Sequence, residues 1–122
     1  MSCILRVSAR DIESVLESTA LHPYRVERGT DAHFDVSKAE LEDFSGSIND
    51  AIEFLHSNAK ELAKLVASGP LEATLDFGVA WRDVAAQFDV LPAELVRCAA
   101  EFGFAIELSH FSIAEEDHVS EA

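Results

Sequence analysis

Residues 71–81, LEATLDFGVAW, alternate between apolar and polar or small side chains along most of the segment. Leu75 and Phe77 fall on one side of this alternation, and Glu72 and Asp76 fall on the other. Because successive side chains of a β-strand point to opposite faces of its sheet, the segment predicts a strand with one buried and one polar face. A parallel sheet covered on both faces would be apolar throughout, so the pattern favours an antiparallel or mixed sheet with one face in water.

The C-terminal part of the chain predicts a helix that runs directly into another strand. Pro92 suits the first helical position, because a proline there gives up no hydrogen bond. Gly103 supplies the left-handed residue that ends many helices. The strand at 104–111 then turns Glu107 and Ser109 toward its polar side. Almost every residue of this stretch has a role in folding, so we interpret it mainly as scaffold.

A long helix is predicted in the middle of the chain. Residues 47–68 carry apolar side chains at spacings of three and four. Ser47 and Asp50 have the spacing of a capping box, and Gly69 follows the last turn, so we predict one uninterrupted helix over this range. The further predicted elements are a strand at 3–8, a helix at 9–19 and a short strand at 32–37 whose pairing is left open.

These elements together predict an α+β fold, a two-layer sandwich. The expected sheet is mixed or antiparallel and has about four strands, with helices on one face, an arrangement broadly of the ferredoxin-like kind. At 122 residues the chain has the size of one domain. We assign residues 1–112 to that domain and predict that residues 113–122 form an acidic, disordered tail.

Acidic residues dominate the charge of the chain. It has 23 Asp and Glu against nine Lys and Arg, for a formal net charge of −14. The four acids of the tail explain only part of this, since 19 acids remain against nine bases without them. Such a charge repels the phosphates of nucleic acids and the surfaces of anionic membranes, so neither is expected as a partner. It attracts basic proteins, although solubility alone would also explain it.

No motif in the sequence carries a reaction. The chain has no GxSxG, no phosphate-binding loop and no GxGxxG. Its five histidines lack metal-ligand spacing, and Cys3 and Cys98 are far apart, so we predict no catalytic residue, no cofactor and no metal site. Both cysteines are interpreted as small buried apolar residues. No signal peptide and no apolar membrane span is visible, which predicts a cytoplasmic protein with reduced thiols.

The polar face of the predicted sheet is the candidate site. Glu72 and Asp76 from one strand and Glu107 from another should project onto it. Arg6 joins them if residues 3–8 turn their apolar side chains inward. Two nearby carboxylates can serve as acid and base. The same carboxylates can instead present an acidic patch to a basic protein, or be no more than the solvated side of a sheet.

The order of these elements resembles that of a bacterial family of short proteins classed as a domain of unknown function. The resemblance covers about residues 3–111 and rests on the ILRVS start, the HPYRVERG loop, the long helix, the alternating strand and chiefly the LPAELVRCAAEFGFAIELSHF ending. Where members often have a clearer tryptophan-bearing strand, this chain has a short middle section. The family brings no established activity and no catalytic residue. Some similar small proteins are thought to be immunity proteins for secreted toxins, which implies an acidic binder.

We therefore expect a small, non-enzymatic protein-binding module that holds a basic partner through Glu72, Asp76 and Glu107. One alternative is an enzyme or a small-molecule binder that uses the same carboxylates. Another alternative is a homo-oligomer, such as a homodimer, whose function is assembly. Its subunits would pair through an exposed edge strand at 32–37.

Overall fold

The computed structural model describes residues 1–113, and these residues form one mixed β-sheet and four helices. The strands are β1 (Cys3–Ser8), β2 (Arg25–Glu27), β3 (Asp31–Ser37), β4 (Glu72–Trp81) and β5 (Ala105–Ser112). The helices are α1 (Ile12–Glu17), α2 (Phe44–Ser57), α3 (Ala59–Ala67) and α4 (Ala93–Glu101). The α+β class is confirmed, but the sheet has five strands within this range and not four. Most of the predicted tail, from residue 114 on, lies outside the described residues.

Strand β1 lies at the centre of the sheet, whose order is β2-β3-β1-β4-β5. It pairs antiparallel with β3 on one side and with β4 on the other. β5 runs parallel to β4, because the connection through α4 carries the chain back before β5 begins. The mixed sheet expected from the alternation of β4 is confirmed, whereas the ferredoxin-like description stays a prediction.

The fifth strand, β2, is not predicted from the sequence, because it is only three residues long and too short for an alternating pattern to be recognised. It lies between Pro23 and Gly29, a stretch that the sequence indicates as a loop. Arg28 and Gly29 take positive φ values of 58° and 69°, and they turn the chain from β2 into β3. Because β2 pairs with β3, residues 32–37 belong to an inner strand. The prediction of an exposed edge at 32–37 was therefore wrong, and the edges of the described sheet are β2 and β5.

The predicted helix over 47–68 is two helices, α2 and α3, and it starts earlier than predicted. Asp43 is the N-cap of α2, since its Oδ1 accepts a hydrogen bond from the backbone N–H of Gly46 at 2.9 Å. Ser47, the predicted cap, is instead fully buried within α2. Asn58 separates the helices, because its side-chain Nδ2 donates to a carbonyl one turn back in α2 and so competes with the helical pattern.

One face of the sheet is buried under the helices. Leu5 of β1 and Phe77 of β4 are completely buried and belong to the same core as Leu55 of α2 and Leu95 of α4. The alternation predicted for residues 71–81 is confirmed from 72 to 79, where every second residue is buried and those between them are exposed or half-buried. At the end of the strand it is lost, since Ala80 is buried as well and Trp81 is half-buried. The polar residues of the strands therefore collect on the opposite face.

Gly103, just beyond α4, has a φ of 74°, a left-handed conformation in which a Cβ is strained. A Cβ at this position would meet no atom within 4 Å, so the cost of Gly103→Ala comes from the backbone alone. We expect this change to lower the free energy of unfolding by about 1–2 kcal/mol. Urea denaturation would measure it, with the exposed Glu101→Ala as control. A loss no larger than that of the control would contradict the backbone argument.

Candidate functional site

The sheet face opposite the helices, here called the open face, is polar across the sheet. Residues that stand opposite one another in register share a face, which places Arg6 with His33 on one side and Thr74 on the other. The predicted carboxylates all lie on this face. Its charged residues, in the order of the strands from β2 to β5, are Arg25, Glu27, Asp31, Asp35, Arg6, Glu72, Asp76 and Glu107.

Arg6 joins two of the three predicted carboxylates. Its Nη1 lies 2.9 Å from Oδ2 of Asp76, and its Nη2 lies 3.1 Å from Oε1 of Glu107. Ser109 completes the group, because its Oγ donates to Oδ1 of Asp76 at 2.8 Å. Burial tends to lower the pKa of Arg6, but the hydrogen bonds to both carboxylates outweigh burial and raise that pKa. The guanidinium therefore stays charged and offsets part of the acidity of this cluster.

Glu72 lies apart from this cluster, four positions along β4 from Asp76, which corresponds to about 13 Å. It shares a row with Ser8 and Asp31, since Ser8 of β1 stands opposite both. The hydroxyls of Ser8 and Thr30 donate to the two carboxylate oxygens of Asp31. The bond from Ser8 is the main reason why the pKa of Asp31 is lowered, so this side chain is charged at neutral pH.

A groove of about 560 Å³ opens at the row of Glu72. Its polar lining comes from the carboxylates of Asp31 and Glu72 and from Ser8 and Thr30. Sequence reasoning does not find Asp31, because the predicted strand starts one residue later and leaves it in the preceding loop. Its even spacing from Asp35 along the strand is the signal that could have placed it on the polar face.

A second group of polar side chains surrounds His33 near the β2 edge of the open face. His33 is 6% exposed, and its Nε2 lies 2.9 Å from Oε1 of Glu27. Arg25 approaches the same oxygen to 3.2 Å. The ring of Tyr24 lies 6.1 Å from the imidazole, centroid to centroid, and is tilted by 47° against it. The polar face thus extends well beyond the residues that the sequence singles out.

Apolar side chains flank the Arg6 cluster at Gly78. A Cβ on Gly78 would lie 2.9 Å from Cδ2 of Leu41 and 3.4 Å from Cε2 of Phe111, so the glycine lets both side chains lie close to β4. Phe111 keeps 52% of its surface exposed. Phenylalanine and arginine are both enriched at protein–protein interfaces, where apolar anchors sit among polar contacts. This end of the open face combines an exposed apolar side chain, Phe111, with the charged group around Arg6.

The geometry limits what the carboxylates can do. Asp76 and Glu107 both accept hydrogen bonds from Arg6, so one oxygen of each carboxylate is already occupied by a cationic group. Within residues 1–113, no three His, Cys, Asp or Glu side chains are grouped so as to hold a metal ion. No helix of that part of the chain is long and apolar enough to cross a membrane. The open face thus already holds one cationic group, the guanidinium of Arg6, between two of its carboxylates.

Comparison of the chain with protein-family models, with curated proteins and with solved structures finds no match. The resemblance to a bacterial family of short proteins therefore stays a prediction. The function has to be inferred from the open face itself.

Proposed function

We propose that this protein is a small, non-enzymatic binding module whose open face holds a basic protein. One observation carries the proposal: the open face has six carboxylates and only two arginines. It lies opposite the sheet face that packs against the described helices. The chain as a whole carries a formal charge of −14, so its field attracts a cationic surface from a distance and speeds the encounter.

The contacts of the open face support specific binding beyond general attraction. Glu72 and Glu107 are both exposed; Glu72 is available to a lysine or arginine side chain of a partner, and Glu107 can share its carboxylate between Arg6 and such a side chain. Asp31 and Asp76 are held in place by hydroxyl groups, so they lose little side-chain freedom on binding. Phe111 offers an apolar anchor beside them. The partner we expect therefore has basic side chains around a small apolar pocket.

Toxin neutralisation is one form of this function. The family resemblance implies it, and an acidic inhibitor would meet the charge of a basic toxin with complementary charge. In this form the protein acts in the cytoplasm, where the toxin would be bound. The two-layer, ferredoxin-like description suits it, because one sheet face is left for the partner.

The test is to identify a partner and then to measure its affinity. The tagged protein captures proteins from a lysate of the source organism at low and at high salt, and a basic protein released by salt is purified. Calorimetry then compares the wild type with Glu72→Gln/Glu107→Gln. We expect the affinity to fall by at least about tenfold, since a single close interfacial charge pair already contributes about 1.5 kcal/mol or more.

The matched control removes the same charge from the helices. Glu13 on α1 and Glu94 on α4 are both exposed, so Glu13→Gln/Glu94→Gln should change the affinity by less than about twofold, because distant surface charges are screened by salt. Equal losses in the two double variants would show that overall charge, and not the open face, holds the partner. The proposal would equally be contradicted if the wild type captured no basic protein that high salt releases.

A small-molecule binder is the second candidate, favoured by the groove at Asp31 and Glu72. Its volume of about 560 Å³ falls within the range of ordinary ligand sites. The occupant would be a small organic cation, because two carboxylates line it. Titration with spermidine as a probe would distinguish the two functions: binding lost in Glu72→Gln, with no protein partner recovered, would favour this candidate.

A further inference from the structure

Cys98 and His56, which sequence reasoning interprets as unconnected parts of the scaffold, meet in the folded chain. Cys98 lies in α4 and His56 lies in α2, 42 positions earlier, yet Sγ of Cys98 is 3.3 Å from Nε2 of His56. This distance is within hydrogen-bond range for sulfur. His56 belongs to the last turn of α2. A nucleophile and a base thus share the seam between two helices.

The pair has access to solvent through the histidine. His56 is exposed, so its ring can exchange protons with water. Cys98 as a residue retains 7% of its surface, and its thiol contacts this exposed histidine. Reactive cysteines are found where a cationic or basic group stabilises the thiolate and a reagent can approach. At Cys98 the imidazole of His56 is the group that can stabilise the thiolate. A small reagent can approach past this exposed side chain, whereas a large reagent would require the two helices to move apart.

Cys3 is the natural reference within the same chain. It is 1% exposed in the central strand β1, and its Sγ has only a long contact, 4.0 Å, with the carbonyl of Ile4. Burial raises the pKa of the Cys3 thiol, and the charge of Asp76 raises it further. A thiol in such surroundings is inert toward electrophiles. The two cysteines therefore have opposite environments, although both are largely buried.

We propose that Cys98 is a modification site for small disulfides and electrophiles, with His56 as its base. In the reaction with 2-hydroxyethyl disulfide, a small disulfide, Nε2 of His56 takes the proton from Sγ, and the thiolate attacks one sulfur of the reagent. The S–S bond of the reagent breaks as the new S–S bond forms, and the departing thiolate takes the proton from His56. The products are a mixed disulfide on Cys98 and one molecule of 2-mercaptoethanol. This site is separate from the open face and does not depend on the function proposed for it.

The experiment follows both thiols in one folded protein. The full chain is incubated with 2-hydroxyethyl disulfide or with iodoacetamide, and peptide mass spectrometry gives the modification rate of each cysteine. Cys98 should react at least about tenfold faster than Cys3. His56→Gln should slow Cys98 by about tenfold, since an unassisted thiol is only a few per cent ionised near neutral pH. His22→Gln, which changes an exposed histidine of a loop, should leave the rate unchanged.

Two further measurements separate the role of His56 as a base from a loosening of the helices. Hydrogen exchange of the α4 amides should be equal in the wild type and in His56→Gln, and both proteins should react equally fast in urea. The proposal is overturned if Cys98 reacts as slowly as Cys3 until the protein is unfolded. It is also overturned if His56→Gln and His22→Gln give the same rate in the folded state.

Discussion

Replacing Phe77 with alanine is expected to lower the free energy of unfolding by about 3–5 kcal/mol. Phe77 lies in β4 and is 0% exposed, at the centre of the core between sheet and helices. Its ring meets Phe44 of α2 edge to face, with centroids 5.9 Å apart and planes at 84°. Truncation removes this contact and leaves a cavity that the rigid sheet on one side cannot fill. The change should therefore weaken the attachment of α2 to the sheet.

Urea denaturation would measure the effect, and Phe88 provides the matched control. Phe88 lies in the connection between β4 and α4 and is 87% exposed. The same substitution there, Phe88→Ala, should change the free energy of unfolding by less than about 0.5 kcal/mol, because little apolar surface is lost from the interior. Comparable losses in the two variants would contradict the arrangement of the core described above.

Replacing Arg6 with methionine is expected to change stability and binding in opposite directions. The substitution removes both ion pairs and leaves Asp76, whose side chain is 19% exposed, beside Glu107 without a cation. Hydrogen bonds to charged groups contribute about 1.5–3 kcal/mol, so we expect a loss of about 1–3 kcal/mol in the free energy of unfolding. The same substitution makes the open face more acidic. The affinity for a basic partner should therefore rise.

Arg25→Met is the control for charge. It removes one positive charge from the same face, but the side chain of Arg25 is 56% exposed and, among residues 1–113, makes a single ion pair, with Glu27. An exposed pair contributes less than about 1 kcal/mol, so this variant should stay nearly as stable as the wild type. Both variants should strengthen binding, measured by calorimetry with the captured partner. Weaker binding in both would mean that the arginines, and not the carboxylates, contact the partner.

Local patterns predict the C-terminal half of the fold well. The alternation of residues 71–81 and the helix that ends at Gly103 reappear within one or two residues in β4, α4 and β5. The patterns fail where secondary structure depends on pairing with a distant strand or on a single side-chain hydrogen bond. β2 exists only because β3 pairs with it, and Asn58 interrupts a helix through one side-chain bond that leaves the apolar spacing intact.

The candidate site was predictable in part for the same reason. Alternation alone placed Glu72, Asp76 and Glu107 on one polar face. It could not show that β4 and β5 are neighbours in register, which brings Asp76 opposite Glu107 within reach of Arg6. Strand order depends on contacts between residues far apart in the chain, and no local pattern encodes it. The same limit applies to the row of Asp31, Ser8 and Glu72: spacing could assign Asp31 to a polar face, but only the strand order places it beside Ser8 and in one row with Glu72.

The central position of β1 bears on how the chain folds as it is synthesised. β1 leaves the ribosome first, yet both of its hydrogen-bonding edges are filled by strands made later, β3 and then β4. Until residue 81 has emerged, one edge of the most apolar strand has no neighbour, although α1, α2 and α3 are already complete. Unpaired strand edges on a nascent chain invite association with other chains. Residues 1–70 carry 12 acidic and seven basic side chains, and the resulting net negative charge opposes such encounters between growing copies of the chain.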